Sequence, residues 1–95
     1  MQLTNTFVLV RTRDAGVHMG ILAECCGTSV ALTDARRLWR WGKANTLNEV
    51  SQQGVDMEWT RISEPVPFIL LTEAIEVIPC SDRARETLSK SRWGN

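Results

Sequence analysis

The chain has one histidine, no C-x-x-C pair, no glycine-rich phosphate loop, no H-E-x-x-H motif and no nucleophile elbow. Each absence closes a route. One histidine and three cysteines without paired spacing make a zinc site a poor reading, and no metal or cofactor is expected. P-loop and hydrolase chemistries lose their usual machinery. No apolar run approaches the ~20 residues that span a bilayer. The opening MQLTNTFVLV lacks the basic segment and long apolar stretch of a signal peptide. Net charge is zero, which argues against long nucleic acid as the partner. The odd cysteine count includes the adjacent Cys25 and Cys26. Neighbouring cysteines rarely bridge, and free thiols point to a reducing cytoplasm.

What is present amounts to one domain, residues 1–95, with enough apolar content for a core. The first third reads as a β-meander. Phe7-Val8-Leu9-Val10 is a strand, Asp14-Ala15-Gly16 a turn, and Val17, Met19, Ile21 and Ala23 alternate with His18, Gly20 and Glu24. That alternation predicts a half-buried strand with Leu22 as the exception. After a turn at Gly27-Thr28-Ser29, Val30-Ala31-Leu32 starts a third strand, and Thr33-Asp34 marks a bulge or a helix cap. Thr46 predicts the N-cap of a short helix with Leu47 and Val50 inward, Glu49 at the third position and Gly54 as its stop. Residues 55–62 form a loop or short strand carrying Trp59. Pro65 and Pro67 bar a central strand there. Phe68–Ile78 then reads as two short strands, or as one with a bulge near Glu73. Ser81 or Asp82 caps a last helix with Ala84 and Leu88 inward. The expected fold is α+β: a small, strongly bent antiparallel sheet, an SH3-like partial barrel, with one or two short helices including a C-terminal one.

Charge is unevenly spread. Between Arg36 and Asn45 lie three arginines, Lys43, Trp39 and Trp41, with no acid among them. Asp56–Glu76 holds five acids against Arg61 alone. Arginine grips phosphate with a planar fork, and tryptophan stacks on bases. Arg36, Arg37, Trp39, Arg40, Trp41, Lys43, Asn45 and Thr46 are therefore the candidate ligand-binding residues, Asn45 and Thr46 for a base edge or ribose. Arg11, Arg13 and Arg92 form a second line. As a strand ending at Gly42, the preferred reading, Arg37, Trp39 and Trp41 share one face, and Arg36, Leu38 and Arg40 the other. As a helix, Ala35, Leu38 and Trp39 would be buried. The competing account is plain packing, with arginines lying over apolar surface. Arg92-Trp93 reads as a packing anchor or subunit contact.

Catalysis has little to stand on. His18 could pair with Cys25 or Cys26, but a lone strand histidine is more often a surface or hydrogen-bonded residue. A non-enzymatic domain is expected.

Three blocks, LVRTRDAGVHMGIL, LTDARRLWRWGKANTL and LLTEAIEVIPCS, together resemble a family of small tailed-bacteriophage proteins. The resemblance covers nearly the whole chain, departing at Cys25-Cys26 and Lys43. It implies a phage accessory protein acting in the host bacterial cytoplasm. Such proteins include the anti-defence sponges, which oligomerise and sequester the cyclic oligonucleotide signals of CBASS. The expected partner is accordingly a cyclic nucleotide, such as a cyclic dinucleotide, held at the interface of a homo-oligomer. Two readings stay open beside it: a small nucleic-acid-binding barrel, and a protein–protein inhibitor or structural accessory of a phage.

Overall fold

The first strand, β1 (Phe7–Thr12), carries FVLV with no polar residue between its apolar ones, and both of its faces are covered. The remaining elements follow in the order β2 (Val17–Cys26), β3 (Ser29–Arg40), α1 (Leu47–Gln53), β4 (Arg61–Ile62), β5 (Val66–Leu71), β6 (Ala74–Pro79) and α2 (Asp82–Lys90). This computed structural model describes residues 3–41, 46–56 and 60–91, with the backbone alone at Arg40. Val8 and Val10 pack with Leu22, Val30, Leu32 and Leu71 on the inner side of the sheet. Leu9 points the other way, joining Met19, Leu38 and Ile62 beneath Val50 of α1 and Leu88 of α2. Each such buried side chain stabilises the fold by roughly 1.5–3 kcal/mol relative to exposure.

All strand pairs are antiparallel, and β1, β2 and β3 form the expected meander. β6 pairs with β1, while β4 and β5 share the outer edge of β3. Three strands therefore separate β5 from β6, yet only Thr72 and Glu73 connect them. Three Cα steps reach about 11 Å, whereas four strand spacings across a flat sheet come to about 19 Å. The sheet must roll up. Two hydrogen bonds mark where it does: Arg13 N–H donates to Glu73 O at 3.0 Å, and Ala74 N–H donates to Thr28 O at 3.0 Å. These reach the turns at opposite ends of β2. The result is an α+β domain with a strongly bent six-stranded antiparallel sheet, not closed into a barrel, and two helices of which one is C-terminal.

Rolling also corrects the reading of β2. The face carrying His18, Gly20 and Leu22 is not wet but forms part of the inner wall, with His18 at 1% and Leu22 at 3% exposure. At Gly20 a Cβ would meet Thr33 O at 2.8 Å, so only glycine lets β3 approach this closely. Opposite it, the Thr33-Asp34 signal resolves as a bulge rather than a helix cap. Asp34 sits at φ 50, and the β2–β3 register slips there.

The helix signals hold at residue level. Thr46 Oγ1 accepts from Glu49 N–H, and Gly54 closes α1 at φ 83. A Cβ on Gly54 would also collide with Thr87 Oγ1 of α2. Ser81, rather than Asp82, caps α2 by accepting from Ala84 N–H at 3.1 Å, and its hydroxyl donates to Gln52 O at 2.6 Å, tying the two helices together. Phe68–Ile78 resolves as two strands. β5 tolerates Pro67 because it is an edge strand. Its Phe68 and Leu70 stand 58% and 56% exposed. Among the described residues no helix is long and apolar enough to cross a membrane.

Candidate functional site

Beyond the Asp34 bulge, Ala35 turns into the inner cluster. Alternation then brings Arg37 and Trp39 to the same side, at the mouth of the rolled sheet. Arg37 lies directly opposite His18 on β2, and Ala35 opposite Val66 on β5. Between these walls, with Glu64 and Ile69 completing them, is a cleft of about 490 Å3, within the range of small-molecule sites.

Its polar groups are held in place by the segment after β4. Ser63 N–H donates to Arg37 O at 3.0 Å, and Arg37 N–H donates back to Ser63 Oγ at 2.8 Å. Ser63 Oγ in turn donates to Glu64 O at 3.2 Å. Arg37 Nε–H donates to His18 Nε2 at 3.3 Å. A nitrogen that accepts is unprotonated, so the neutral ring carries its hydrogen on Nδ1. That Nδ1 is buried with no partner among the described residues. Burial, and secondly the Arg37 charge, push the His18 pKa below its ordinary value. Ser63 and His18 each engage Arg37 rather than one another, so they do not form a nucleophile–base pair. Trp39 is 55% exposed at the rim. What the cleft offers is a ring face, a guanidinium fork, a carboxylate and apolar walls.

Arg36, the next residue, takes a different part. Its Nε donates to Ser63 O at 2.7 Å, its Nη1 to Ser89 O at 3.2 Å and its Nη2 to Ser91 O at 2.9 Å. The guanidinium thus closes the carbonyl end of α2, where a cation also meets the negative end of the helix dipole. Burial lowers its pKa, while Glu64 acts in the opposite direction. Its fork is committed to the fold and not presented to a ligand.

Trp41 does not share the face of Trp39, although strict alternation predicts that it should. The pairing with β4 slips between Leu38 and Arg40, and Trp41 packs against the helix-side cluster instead. It lines a separate cleft of about 340 Å3 with Arg11, Thr46 and Leu47. Val17 lines that cleft while His18 lines the other. The sheet therefore stands between the two tryptophans. Thr46 is occupied as a helix cap, and Arg11 pairs with Glu76 at 3.5 Å. Arg13 is exposed on the first turn. The side chain of Arg40, and Gly42, Lys43, Asn45, Trp59, Arg92 and Trp93, lie outside the described residues. His18, Glu64, Val66 and Ile69 belong to the cleft without having been singled out for a ligand. For His18 a signal existed in Leu22, the apolar residue on the supposedly wet face. For Glu64 no local signal exists. No three histidine, cysteine or acidic side chains among the described residues are grouped to hold a metal ion.

Fold and cleft together define a small α+β domain with a rolled antiparallel sheet and a cation-and-tryptophan cleft at its mouth. The model of DUF6948, a domain of unknown function, matches residues 5–88, and the chain belongs to that family. The match runs from the start of β1 to Leu88 in α2 and includes every described cleft residue. Comparison with curated proteins finds no match.

Proposed function

We propose that this protein binds an anionic nucleotide in the cleft between β2, β3 and β5, and holds it without turnover. The observation that carries the reading is the placement of Arg37 and Trp39 on one cleft. A base stacked on Trp39 would bring its phosphate within reach of the Arg37 fork. Glu64 is placed to accept from a base N–H or a ribose hydroxyl. Because Arg36 is committed to α2, one subunit supplies one described fork. Two copies related by a two-fold axis would supply two, matching the two phosphates of a cyclic dinucleotide. The exposed Val66, Phe68 and Leu70 beside the cleft give a second copy apolar surface to cover. The resemblance to phage proteins makes sequestration of such a signal in the host cytoplasm the biological form of the proposal.

The test is titration calorimetry of the protein with 3′,3′-cGAMP, cyclic di-GMP and the mononucleotides. The expected result is saturable heat that is lost in Trp39→Ala and Arg37→Ala while both variants keep the wild-type melting temperature. Stacking is worth roughly 1–3 kcal/mol per base, so Trp39→Ala should weaken binding about tenfold or more. A shallow salt dependence is expected, because few phosphates meet few cations; a steep one would favour the nucleic-acid reading. No heat with any nucleotide overturns the proposal.

A further inference from the structure

At the floor of the cleft sits an imidazole that packing alone does not require. His18 shares its face of β2 with Leu22, and Val10 lies directly opposite on β1. A leucine at position 18 would fill such a place with no polar atom to satisfy. The imidazole instead leaves Nδ1 buried and unpartnered, a desolvation cost that packing does not repay. Its one polar return is Nε2, which accepts from Arg37 Nε–H at 3.3 Å. Arg37 is the exposed fork of the cleft, and its Nη1 and Nη2 bond to no described residue. A free arginine side chain must give up much rotamer freedom to grip an anion, and one pinned at Nε has already done so.

We infer that His18 is the positioning residue of this cleft: as a neutral ring its Nε2 pins Arg37 and presents the two Nη groups as a fixed fork for a phosphate-class anion. The inference rests on the cleft being the binding site proposed above. It carries a built-in dependence on protonation. A protonated ring bears a hydrogen on Nε2, so two donors and two positive charges would face each other and the pin would open. The other charged groups at the cleft are Glu64, which favours that protonation, and Arg36, which opposes it with Arg37. Val10 of β1 and Val66 and Ile69 of β5 bring no titrating group. Burial opposes protonation as well, so the pin is closed at neutral pH.

The experiment compares wild type, His18→Leu and His18→Gln. Glutamine places an acceptor close to the position of Nε2 and does not titrate. The Arg37 Nε–H resonance, assigned by its loss in Arg37→Lys, is followed by nitrogen-15 NMR from about pH 8 to about pH 5. In wild type it should be sharp at the upper end and disappear in step with the His18 ring titration. In His18→Gln it should persist throughout, and in His18→Leu it should be absent. Calorimetry with inorganic pyrophosphate and with 3′,3′-cGAMP at neutral pH should show His18→Leu weakened about tenfold and His18→Gln within about threefold of wild type. His18→Leu should at the same time melt no lower than wild type, so affinity and stability move apart. An Arg37 resonance indifferent to His18, or His18→Leu binding as tightly as wild type, overturns the inference. If wild type binds neither probe, the binding reading fails, while the NMR arm still decides whether His18 pins Arg37. If His18→Leu does not fold, His18→Gln and the wild-type pH series decide it.

Discussion

Arg36 and Arg37, adjacent on β3, turn to opposite faces of the sheet. The first ties three backbone carbonyls at Ser63, Ser89 and Ser91, and the second leaves its fork at the cleft with only Nε engaged. Of two residues of identical chemistry, one is thus committed to the fold and the other left at the candidate site.

Exchange of the two arginines for methionine should separate these roles. Arg36→Met removes three charge-assisted bonds from a half-buried position and is expected to cost about 2 kcal/mol, lowering the melting midpoint by roughly 10 °C in a domain of this size. Lysine should not rescue it, since one ammonium cannot reproduce a fork. Arg37→Met should melt within a degree or two of wild type yet lose nucleotide binding. Thermal denaturation followed by circular dichroism, beside calorimetry, reads both.

Acid should weaken the fold through His18. Its pKa is lower in the folded protein than in the unfolded chain, so below about pH 6.5 the unfolded chain takes up the proton first. The stabilisation is complete above that pH and is lost as pH falls through the folded value. Denaturation midpoints should therefore drop on going from neutral to mildly acidic buffer, and His18→Gln should remove that part of the drop. An unchanged pH profile in the variant would assign the acid sensitivity to other groups.

Thiol labelling should divide the cysteines. Cys25 and Cys26 are exposed at the end of β2. Cys80 is partly covered, and burial pushes its thiol up to about 12, with a backbone hydrogen bond from Leu9 acting in the opposite direction. At mildly alkaline pH a disulfide reagent should modify the first two quickly and Cys80 only after denaturant is added. Fast labelling of all three in native protein would contradict the packing of Cys80 against the helix-side core.

Gly54→Ala is expected to cost more than about 1 kcal/mol, because an L residue is strained at φ 83 and its Cβ meets Thr87. In a Thr87→Ala background, which removes the Oγ1 that the new Cβ meets, the cost of Gly54→Ala should shrink to the backbone part alone. Urea denaturation of the single and double variants measures both parts.

Local signals carried far along this chain. Thr46, Gly54 and Ser81 each announce a helix end through their own side chain or its absence, so a single sequence suffices to find them. Thr33-Asp34 announces a break in the strand for the same reason, but not whether it is a bulge or a helix cap. The long-range facts were not available in that way. In VHMGIL only Leu22 hints that the face of His18 is covered, and nothing there says by what, because that wall is made by β5 and by the docking of β6 on β1. Nor does RRLWRW say which arginine meets the end of α2. That depends on the parity left by the Asp34 bulge and on the slip opposite β4, which also parts Trp39 from Trp41. Of the candidate ligand residues, Arg36, Arg37 and Trp39 line one cleft, Arg36 with its guanidinium committed to the carbonyls of Ser63, Ser89 and Ser91, while Trp41, Thr46 and Arg11 line another.

The Thr72-Glu73 corner has a consequence for the order of assembly. The β1–β2 and β2–β3 hairpins close over short loops, and the entropy they must surrender is small. β5 finds its place only by pairing Val66–Leu71 with Val30–Ala35, a closure over the end of β3, α1 and β4. Long closures of this kind come late. A nascent molecule therefore has His18 and Arg37 side by side early but no opposing wall, and gains the cleft only when β5 pairs with β3. On the binding reading proposed above, occupancy of the cleft would report that this late pairing has formed.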